Sequence, residues 1–298
     1  MTTATMTYPR LLRAAVALLT GCLAVANAFA KTSVQVVVVP VANMYSAPTD
    51  KSDVVSQALF GSNVTLFTTR GEWTRVQTSD QYKGWISSHQ LRMILSGSGY
   101  ATSGQTVQVE SLFANLYREP NVAQHKPVLT IPFESRLEVV ELGKGNDEGW
   151  LKVRLPDQRV AWIQSSDVID PKPLSIPESI ALAKRFLGLP YLWGGRSSYG
   201  YDCSGFTQML VRARGLNMPR DADQQAAWSG LIAVERKDLQ PGDLLFFGSA
   251  LDKITHTGMY IGGGQFIHDS TNGHPVVQIS RLDDQPWTQL LVACRRVK

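Results

Sequence analysis

Between residues 33 and 95, short runs of β-branched and aromatic residues alternate with polar turn clusters. Short runs at this spacing are typical of strands in a small β-barrel or sandwich. Residues 96–105 are rich in Ser and Gly and predict a flexible linker. The predicted strands occupy residues 34–39, 57–59, 64–68, 73–77 and 84–87.

The same succession of motifs occurs again between residues 106 and 170. Each copy contains an early Asn-x-Tyr motif, a central Trp and a late Trp-Ile pair, in that order. Repetition of a motif order over this length indicates two duplicated modules. The paired positions are Tyr45 and Tyr117, Trp73 and Trp150, and Trp85 and Trp162.

On these motifs, the two copies resemble bacterial SH3-like domains. The resemblance implies two small all-β barrels, a first module at residues 31–95 and a second module at residues 106–170. The tryptophans are expected in the barrel cores or on strand faces. Tyr82 differs because it lies in a polar loop at residues 79–83, so we predict that it lines a ligand groove.

A different composition begins after residue 170. A proline-rich connector leads into a predicted helix between Ser175 and Gly188, and a second predicted helix starts at Cys203 and runs toward Gly215. Helices followed by antiparallel strands predict an α+β domain over residues 171–298. Its predicted strands occupy residues 244–247, 256–261, 265–269, 276–280 and 290–295.

The N-terminus has the pattern of a secretory signal. Arg10 and Arg13 precede an apolar run at residues 14–29, and small residues flank Phe29 before a predicted cleavage site after Ala30. The alternative is a membrane anchor, but the run is shorter than the roughly 20 apolar residues that span a bilayer. We therefore predict removal of residues 1–30.

A second signal lies within the first. Residues 19–22 match the Leu-Thr-Gly-Cys box at which bacterial lipoproteins are acylated, so the alternative is a lipid anchor at Cys22. Residues 23–26 remain apolar, whereas the chain after such an anchor is usually polar. In both cases the mature chain leaves the cytoplasm, and we expect it in the periplasm or cell envelope with no transmembrane segment.

Charge and cysteine content narrow the function classes. Removing residues 1–30 deletes two arginines and no acid, so the formal net charge falls from +4 to +2, and nucleic acid is not expected as a partner. Cys203 and Cys294 are too few for a disulfide scaffold. A single bridge between them is one alternative; a buried thiol at Cys294, within the apolar residues 290–294, is the other.

Cys203 has the surroundings of a nucleophile. It lies where a turn at residues 200–205 meets the start of the second predicted helix, so the positive helix end should lower the pKa of its thiol. The neighbours Asp202, Ser204 and Gly205 are polar or small, which disfavours a buried structural cysteine.

Two histidines flank a glycine turn at residues 262–264. With an upstream cysteine, this pattern indicates a Cys/His/His relay in which His256 is the base and His268 orients it. The two side chains can meet only if they share one face of the hairpin, so we predict an odd-numbered turn or a β-bulge. No third ligand lies at metal-site spacing, so neither a metal nor another cofactor is expected.

Residues 175–298 resemble the NlpC-type peptidases, a papain-like family of bacterial cell-wall cysteine endopeptidases. The resemblance implies a nucleophile at Cys203, a base at His256, a third member at His268 and an active-site tyrosine at Tyr191, which could donate to the oxyanion. A buried aromatic is the alternative for Tyr191. The family's Pro-Arg-x-Ser stretch is matched here with a departure at Ala222. The four matching motifs occupy residues 188–195, 202–206, 239–247 and 256–268.

The resemblance further implies hydrolysis of peptidoglycan stem peptides through a thioester, between γ-D-glutamate and diaminopimelate. In such relatives a groove beside the first module receives a free N-terminal L-alanine. We expect Asp202 to bind its ammonium, Ser204 the glutamate α-carboxylate, and Tyr82 to wall off the alanine site. Arg220 could pair a substrate carboxylate or be a solvated surface residue, and Asp202 could instead be only a helix cap.

Two other activities fit the same residues. One is an endopeptidase that opens D-alanine–diaminopimelate cross-links in intact wall, and the other is an acyltransferase on the same fold. A binding module with a decayed catalytic domain is disfavoured because the cysteine and both histidines are intact. The expected partner is peptidoglycan or released muropeptides.

Overall fold

The computed structural model describes residues 1–3, 33–94 and 99–298. The predicted cleavage site after Ala30, the alternative anchor at Cys22 and part of the predicted linker lie outside the described residues. Within the described ranges, no helix combines the length and apolarity needed to cross a membrane.

The first module is an antiparallel sheet of seven strands in the order β3-β2-β6-β5-β4-β1-β7. The sequence did not predict β2 and β7, because the apolar residues of β2 are interrupted by Asn43 and β7 contains Arg92. The strands are β1 Val34–Val37, β2 Val41–Tyr45, β3 Val54–Leu59, β4 Asn63–Arg70, β5 Trp73–Gln77, β6 Lys83–Ser87 and β7 Leu91–Met93.

The second module repeats this arrangement as two sheets, β10-β9 and β13-β12-β11-β8-β14. Alternate residues of β12 are buried, as expected for a strand with one face on a core. The strands are β8 Thr106–Val109, β9 Phe113–Leu116, β10 Leu129–Pro132, β11 Arg136–Leu142, β12 Trp150–Arg154, β13 Val160–Gln164 and β14 Val168–Ile169.

The repeated motifs have a common packing role. In the first module the ring of Tyr45 meets Trp73 edge-on, with centroids 5.3 Å apart. In the second module Tyr117 meets Trp150 in the same way, at 5.5 Å. Edge-to-face pairs at this separation are favourable, so the early Tyr and the central Trp recur because they pack together.

The C-terminal domain consists of a six-stranded antiparallel sheet, β17-β22-β18-β19-β20-β21, with α1 and α2 packed on one face. The sequence did not predict α3, α4 or β17, which are too short for a clear periodic signal. The helices are α1 Ile176–Arg185, α2 Cys203–Ala213, α3 Ala222–Ala226 and α4 Trp287–Leu290. The strands are β15 Arg196–Ser197, β16 Gly200–Tyr201, β17 Leu231–Val234, β18 Leu244–Gly248, β19 Ile254–Gly262, β20 Gln265–Ser270, β21 Val276–Arg281 and β22 Leu291–Val297.

Both modules attach to the segment that leads to Cys203. Gln57 of the first module accepts hydrogen bonds from the Arg196 amide at 2.9 Å and the Ser197 hydroxyl at 3.1 Å. The Ser198 hydroxyl donates to the backbone oxygen of Leu112 in the second module. Three consecutive residues of the β15–β16 hairpin are therefore fixed from two sides.

The first module approaches this segment so closely that one position requires glycine. Gly194 has a φ of +72°, and a Cβ there would lie 2.5 Å from the backbone oxygen of Val54. Both the positive φ and the contact exclude a side chain.

A largely buried ion pair attaches the second module. Glu134 accepts two hydrogen bonds from Arg212 of α2, at 2.8 and 2.6 Å. Glu134→Gln should lower the free energy of unfolding by about 3 kcal/mol, because the buried Arg212 charge loses its partner. Urea unfolding would measure this change. The matched control is Glu119→Gln, which breaks an exposed pair with His125 and should cost less than about 1 kcal/mol. Equal effects of the two variants would contradict the structure.

Candidate active site

Cys203 is the first residue of α2, and Asp202 is the cap of that helix. The Asp202 carboxylate accepts a hydrogen bond from the Gly205 amide at 2.7 Å, as an N-cap side chain does. Helix α2 packs on β19 and β20, and the backbone amides of Thr257 and Ser204 interact with the sulfur. The nucleophile candidate thus lies against the strand residue that follows His256.

The prediction of a lowered thiol pKa is wrong. Burial raises the pKa of Cys203 to about 12, since its residue surface is only 8% exposed, and the Asp202 carboxylate raises it further. The Thr257 and Ser204 amides and the Arg220 charge lower the pKa but do not outweigh burial. Cys203 is therefore a neutral thiol in this arrangement, and it forms no disulfide with Cys294.

The two histidines of the hairpin meet as predicted. His256 Nε2 lies 2.7 Å from His268 Nδ1. The turn between β19 and β20 has two residues, Gly263 and Gly264, and the register shifts between Tyr260 and Gly262. That shift is the predicted β-bulge, and it puts both imidazoles on one face of the sheet.

A third polar side chain continues the histidine pair. His268 Nε2 lies 3.0 Å from the Ser280 hydroxyl on β21, a partner that the sequence analysis missed because it depends on strand register. Trp287 packs against both imidazoles, with centroids 5.1 Å from His256 and 4.8 Å from His268. Burial in this apolar setting lowers the pKa of His256 to about 4 and that of His268 well below its usual value, so both rings are neutral.

Asp202 and Arg220 form a buried ion pair at the head of α2. The two ends of the guanidinium donate to the two carboxylate oxygens at 2.9 and 2.6 Å. Arg220 is only 2% exposed, so the alternative of a solvated surface arginine is wrong. Asp202 also accepts from the Gly194 amide at 3.0 Å and the Ser204 hydroxyl at 3.2 Å. Ser204 in turn accepts from Arg220 at 2.8 Å.

Tyr82 extends from the first module to the same place. Its hydroxyl interacts with the carboxylate of Asp221, the residue after Arg220. Burial and the nearby Asp221 charge raise the pKa of Tyr82 to about 12, and burial raises the pKa of Asp221 above its usual value. The sequence analysis missed Asp221, because only the folded contact between module and domain distinguishes it from a surface acid.

Tyr191 lies near the thiol. Its side chain is half-buried, and burial together with the charges of a Cys203 thiolate and of Asp202 raises its pKa. The phenol therefore stays protonated and can donate a hydrogen bond. Among the described residues there is no group of three His, Cys, Asp or Glu side chains placed to hold a metal ion.

The structure thus collects Cys203, Tyr191, Asp202, Ser204, Arg220 and Tyr82 around the head of α2, with the histidine pair on the neighbouring hairpin. Three protein-family models match the chain, one for each of its domains. Residues 188–296 match the NlpC/P60 family, residues 44–91 match the bacterial dipeptidyl-peptidase Sh3 domain, and residues 98–168 match the GW (Gly-Tryp) dipeptide domain.

Two curated relatives align with most of the chain. The chain is 32% identical over 264 residues to a gamma-D-glutamyl-L-lysine dipeptidyl-peptidase of Bacillus cereus (strain ATCC 10987 / NRS 248), covering 83% of this chain and 76% of that protein. It is 31% identical over 258 residues to the protein of that name from Bacillus subtilis (strain 168), covering 82% and 81%.

A solved structure shows the same fold. The crystal structure of an NlpC/P60 family protein from Bacillus cereus ATCC 10987 superimposes with a TM-score of 0.78 at 27% identity, covering 89% of this chain and 99% of that one. The predicted α+β catalytic domain behind two SH3-like modules is confirmed. The chain therefore belongs to the NlpC/P60 family of cysteine peptidases.

Proposed function

We propose that this protein is a cysteine peptidase that hydrolyses the γ-D-glutamyl–diamino acid bond of peptidoglycan stem peptides. The released product would be the N-terminal dipeptide L-alanyl-γ-D-glutamate; the Bacillus relatives are named gamma-D-glutamyl-L-lysine dipeptidyl-peptidases. The observation that supports the proposal most is the approach of Tyr82 of the first module to Asp221, the residue after Arg220, which itself contacts Asp202 beside the nucleophile.

The histidine chain supports a role for His256 as the base. If His268 donates its Nε2 proton to Ser280, its Nδ1 accepts the Nε2 proton of His256. In that tautomer His256 Nδ1 carries no proton, and its lone pair can accept the proton of Cys203. Because thiol and imidazole are both neutral at rest, this proton moves as the sulfur attacks the substrate carbonyl.

The rest of the reaction follows acyl transfer. Attack forms a tetrahedral intermediate whose oxyanion accepts hydrogen bonds from the Tyr191 hydroxyl and the Cys203 backbone amide. The C–N bond then breaks, and the leaving amine takes the proton from His256. Water, deprotonated by His256, then attacks the thioester carbonyl. The C–S bond breaks, His256 returns the proton to the departing Cys203 thiolate, and the dipeptide leaves as an acid.

The ammonium of the substrate is better placed on Asp221 than on Asp202. Asp202 already accepts five hydrogen bonds, two of them from Arg220, so its oxygens have no capacity left for a substrate cation. Asp221 is half-buried and lies beside Tyr82. We therefore correct the assignment of Asp202 and propose Asp221 as the ammonium site.

Arg220 and Ser204 also take revised roles. Both ends of the Arg220 guanidinium bind acceptors of the protein, so we propose that it positions Asp202 rather than a substrate carboxylate. The Ser204 oxygen accepts from Arg220 at 2.8 Å, while its own proton is held only by a long bond of 3.2 Å to Asp202, so we propose that this proton turns toward the α-carboxylate of the glutamate. The hydroxyl absent at Ala222 leaves Ser204 as the nearest candidate for this contact.

We further propose that the protein is exported and acts in the periplasm or cell envelope. The apolar run at residues 14–29 and the small residues before Lys31 support export. Released muropeptides suit the groove better than intact wall, because their stem peptides can have a free N-terminal amine. Acylation of Cys22 would add a membrane anchor to the same enzyme.

Cys203→Ala and Cys203→Ser should abolish hydrolysis while the chain stays folded, because the surrounding turn contains no other thiol. Cys294→Ser is the control, since Cys294 lies in a separate apolar cluster with Phe247 and Leu282. It should retain activity. Product release from L-alanyl-γ-D-glutamyl-diaminopimelate, followed by mass analysis, gives the rates. Near wild-type release by a Cys203 variant would refute the proposed mechanism.

The groove predicts a requirement for a free N-terminus. The free tripeptide should be cleaved with a kcat/KM about 100-fold above that of the same peptide linked to muramic acid, because the linkage removes the ammonium. The lysine tripeptide serves as a second substrate and should show the same preference.

Asp221→Asn should narrow this preference to about tenfold or less, because the ammonium loses its charged partner. The matched control is Asp223→Asn, an exposed acid two residues away on α3, which should leave the preference unchanged. Equal rates on free and sugar-linked peptides, or new termini at D-alanine–diaminopimelate cross-links, would favour the cross-link endopeptidase instead.

A further inference from the structure

The two modules have an equivalent turn, after β5 in the first module and after β12 in the second, and the two turns have different surroundings. Seventy-seven residues separate Trp73 from Trp150 and Trp85 from Trp162, so the turn after β5 aligns with the turn after β12 without a gap. Both turns have a Gln with positive φ, Gln81 at 68° and Gln158 at 71°. The local backbone is therefore the same in both copies.

The residue after this Gln differs between the copies. In the first module it is Tyr82, which faces the catalytic domain and Asp221. In the second module it is Arg159, which is exposed and lines a cavity of about 500 Å³ between the turn and the loop that follows Tyr117. The turn that contributes to the proposed substrate groove in one copy thus borders an open cavity in the other.

Both basic and apolar side chains line the cavity. Arg118, His125, Lys126 and Arg159 supply the basic side chains, and Val128 and Leu155 supply part of the apolar surface. No carboxylate is found among the described residues that line it. This combination suits a ligand with negative groups on an aliphatic frame.

Two of the four basic groups are uncompensated. Glu119 pairs with His125 at 2.7 Å, and Asp157 pairs with Arg159 at 2.7 Å. Across residues 33–94 and 99–298, no carboxylate lies within ion-pair distance of Arg118 or Lys126. These two cations are therefore free to bind an external anion.

We propose that this cavity is a second binding site, which takes a carboxylate-bearing segment of a wall stem peptide that is not the one being cleaved. The choice of a stem peptide rests on the proposed function, since such peptides combine free carboxylates with alanine methyl groups and the aliphatic chain of the diamino acid. Arg118 and Lys126 bind the carboxylates, and Val128 and Leu155 contact the aliphatic part. The second module then holds the enzyme at the wall while the groove of the first module receives free peptide.

The test uses the full chain with Cys203→Ala, so that nothing is cleaved. Purified peptidoglycan, stripped of phosphate-containing polymers, is sedimented with this protein at two salt concentrations. Its stem peptides are amide-linked to sugar and have no free N-terminus, so the proposed groove does not contribute to binding. We expect binding that weakens as salt rises, because the basic side chains are exposed.

Adding Arg118→Glu and Lys126→Glu should weaken binding at least about tenfold, since two attractive contacts become repulsive. Lys144→Glu is the matched control, an exposed lysine of the same module away from the cavity, and should bind like the parent. An N-acetylated γ-D-glutamyl tripeptide with free carboxylates should compete for binding, whereas its carboxamide form should not.

Three results would overturn the proposal: unchanged binding by the double charge reversal, equal competition by the carboxamide peptide, or competition by a phosphate polymer alone. The proposed function is tested separately in the active Cys203 background. There the Arg118→Glu/Lys126→Glu variant should hydrolyse the free tripeptide at the parent rate. Loss of wall binding without loss of hydrolysis would therefore show that the two substitutions affect the second site and not the active site.

Discussion

The ion pair between Asp202 and Arg220 is the interaction on which the site depends. Removing two charges from water is costly, and here the cost is offset because the carboxylate accepts five hydrogen bonds and the guanidinium spans both of its oxygens. Those donors come from α2, from the loop at Gly194 and from the segment before α3. The carboxylate of Asp202, the residue immediately before Cys203, therefore joins three parts of the chain. A lysine at position 220 could not replace the planar, bidentate contact.

Hydrogen bonds from the two modules also fix the chain that leads to Asp202. Gln57 holds the amide of Arg196, and Leu112 accepts from Ser198, so the hairpin that precedes Asp202 is fixed between the two modules. The first module also brings Tyr82 to Asp221. At equivalent positions the first module has Tyr82 beside Asp221, and the second module has Arg159 at a basic cavity.

Much of the architecture could be predicted from local signals in the sequence. The duplicated motif order predicted two modules. The positions of His256 and His268 about the glycine turn predicted an odd-numbered turn or a β-bulge, and the structure contains the bulge. Contacts between distant segments could not be predicted. Ser280 and Asp221 join the site only through strand register and module docking, and no local pattern distinguishes them from surface residues. The predicted direction of the Cys203 pKa shift was wrong for a related reason. The sequence shows that Cys203 lies at a helix start, but it does not show how deeply the thiol is buried.

The central proposal is that a groove between the first module and the catalytic domain binds the free N-terminal ammonium of the substrate. The most direct measurement is a crystal structure of the Cys203→Ala protein with the intact L-alanyl-γ-D-glutamyl-diaminopimelate tripeptide. The account predicts the alanine ammonium within hydrogen-bond distance of the Asp221 carboxylate, beside the Tyr82 ring, with the scissile carbonyl at position 203. An ammonium that points into solvent, or a peptide bound with no contact to the first module, would contradict it.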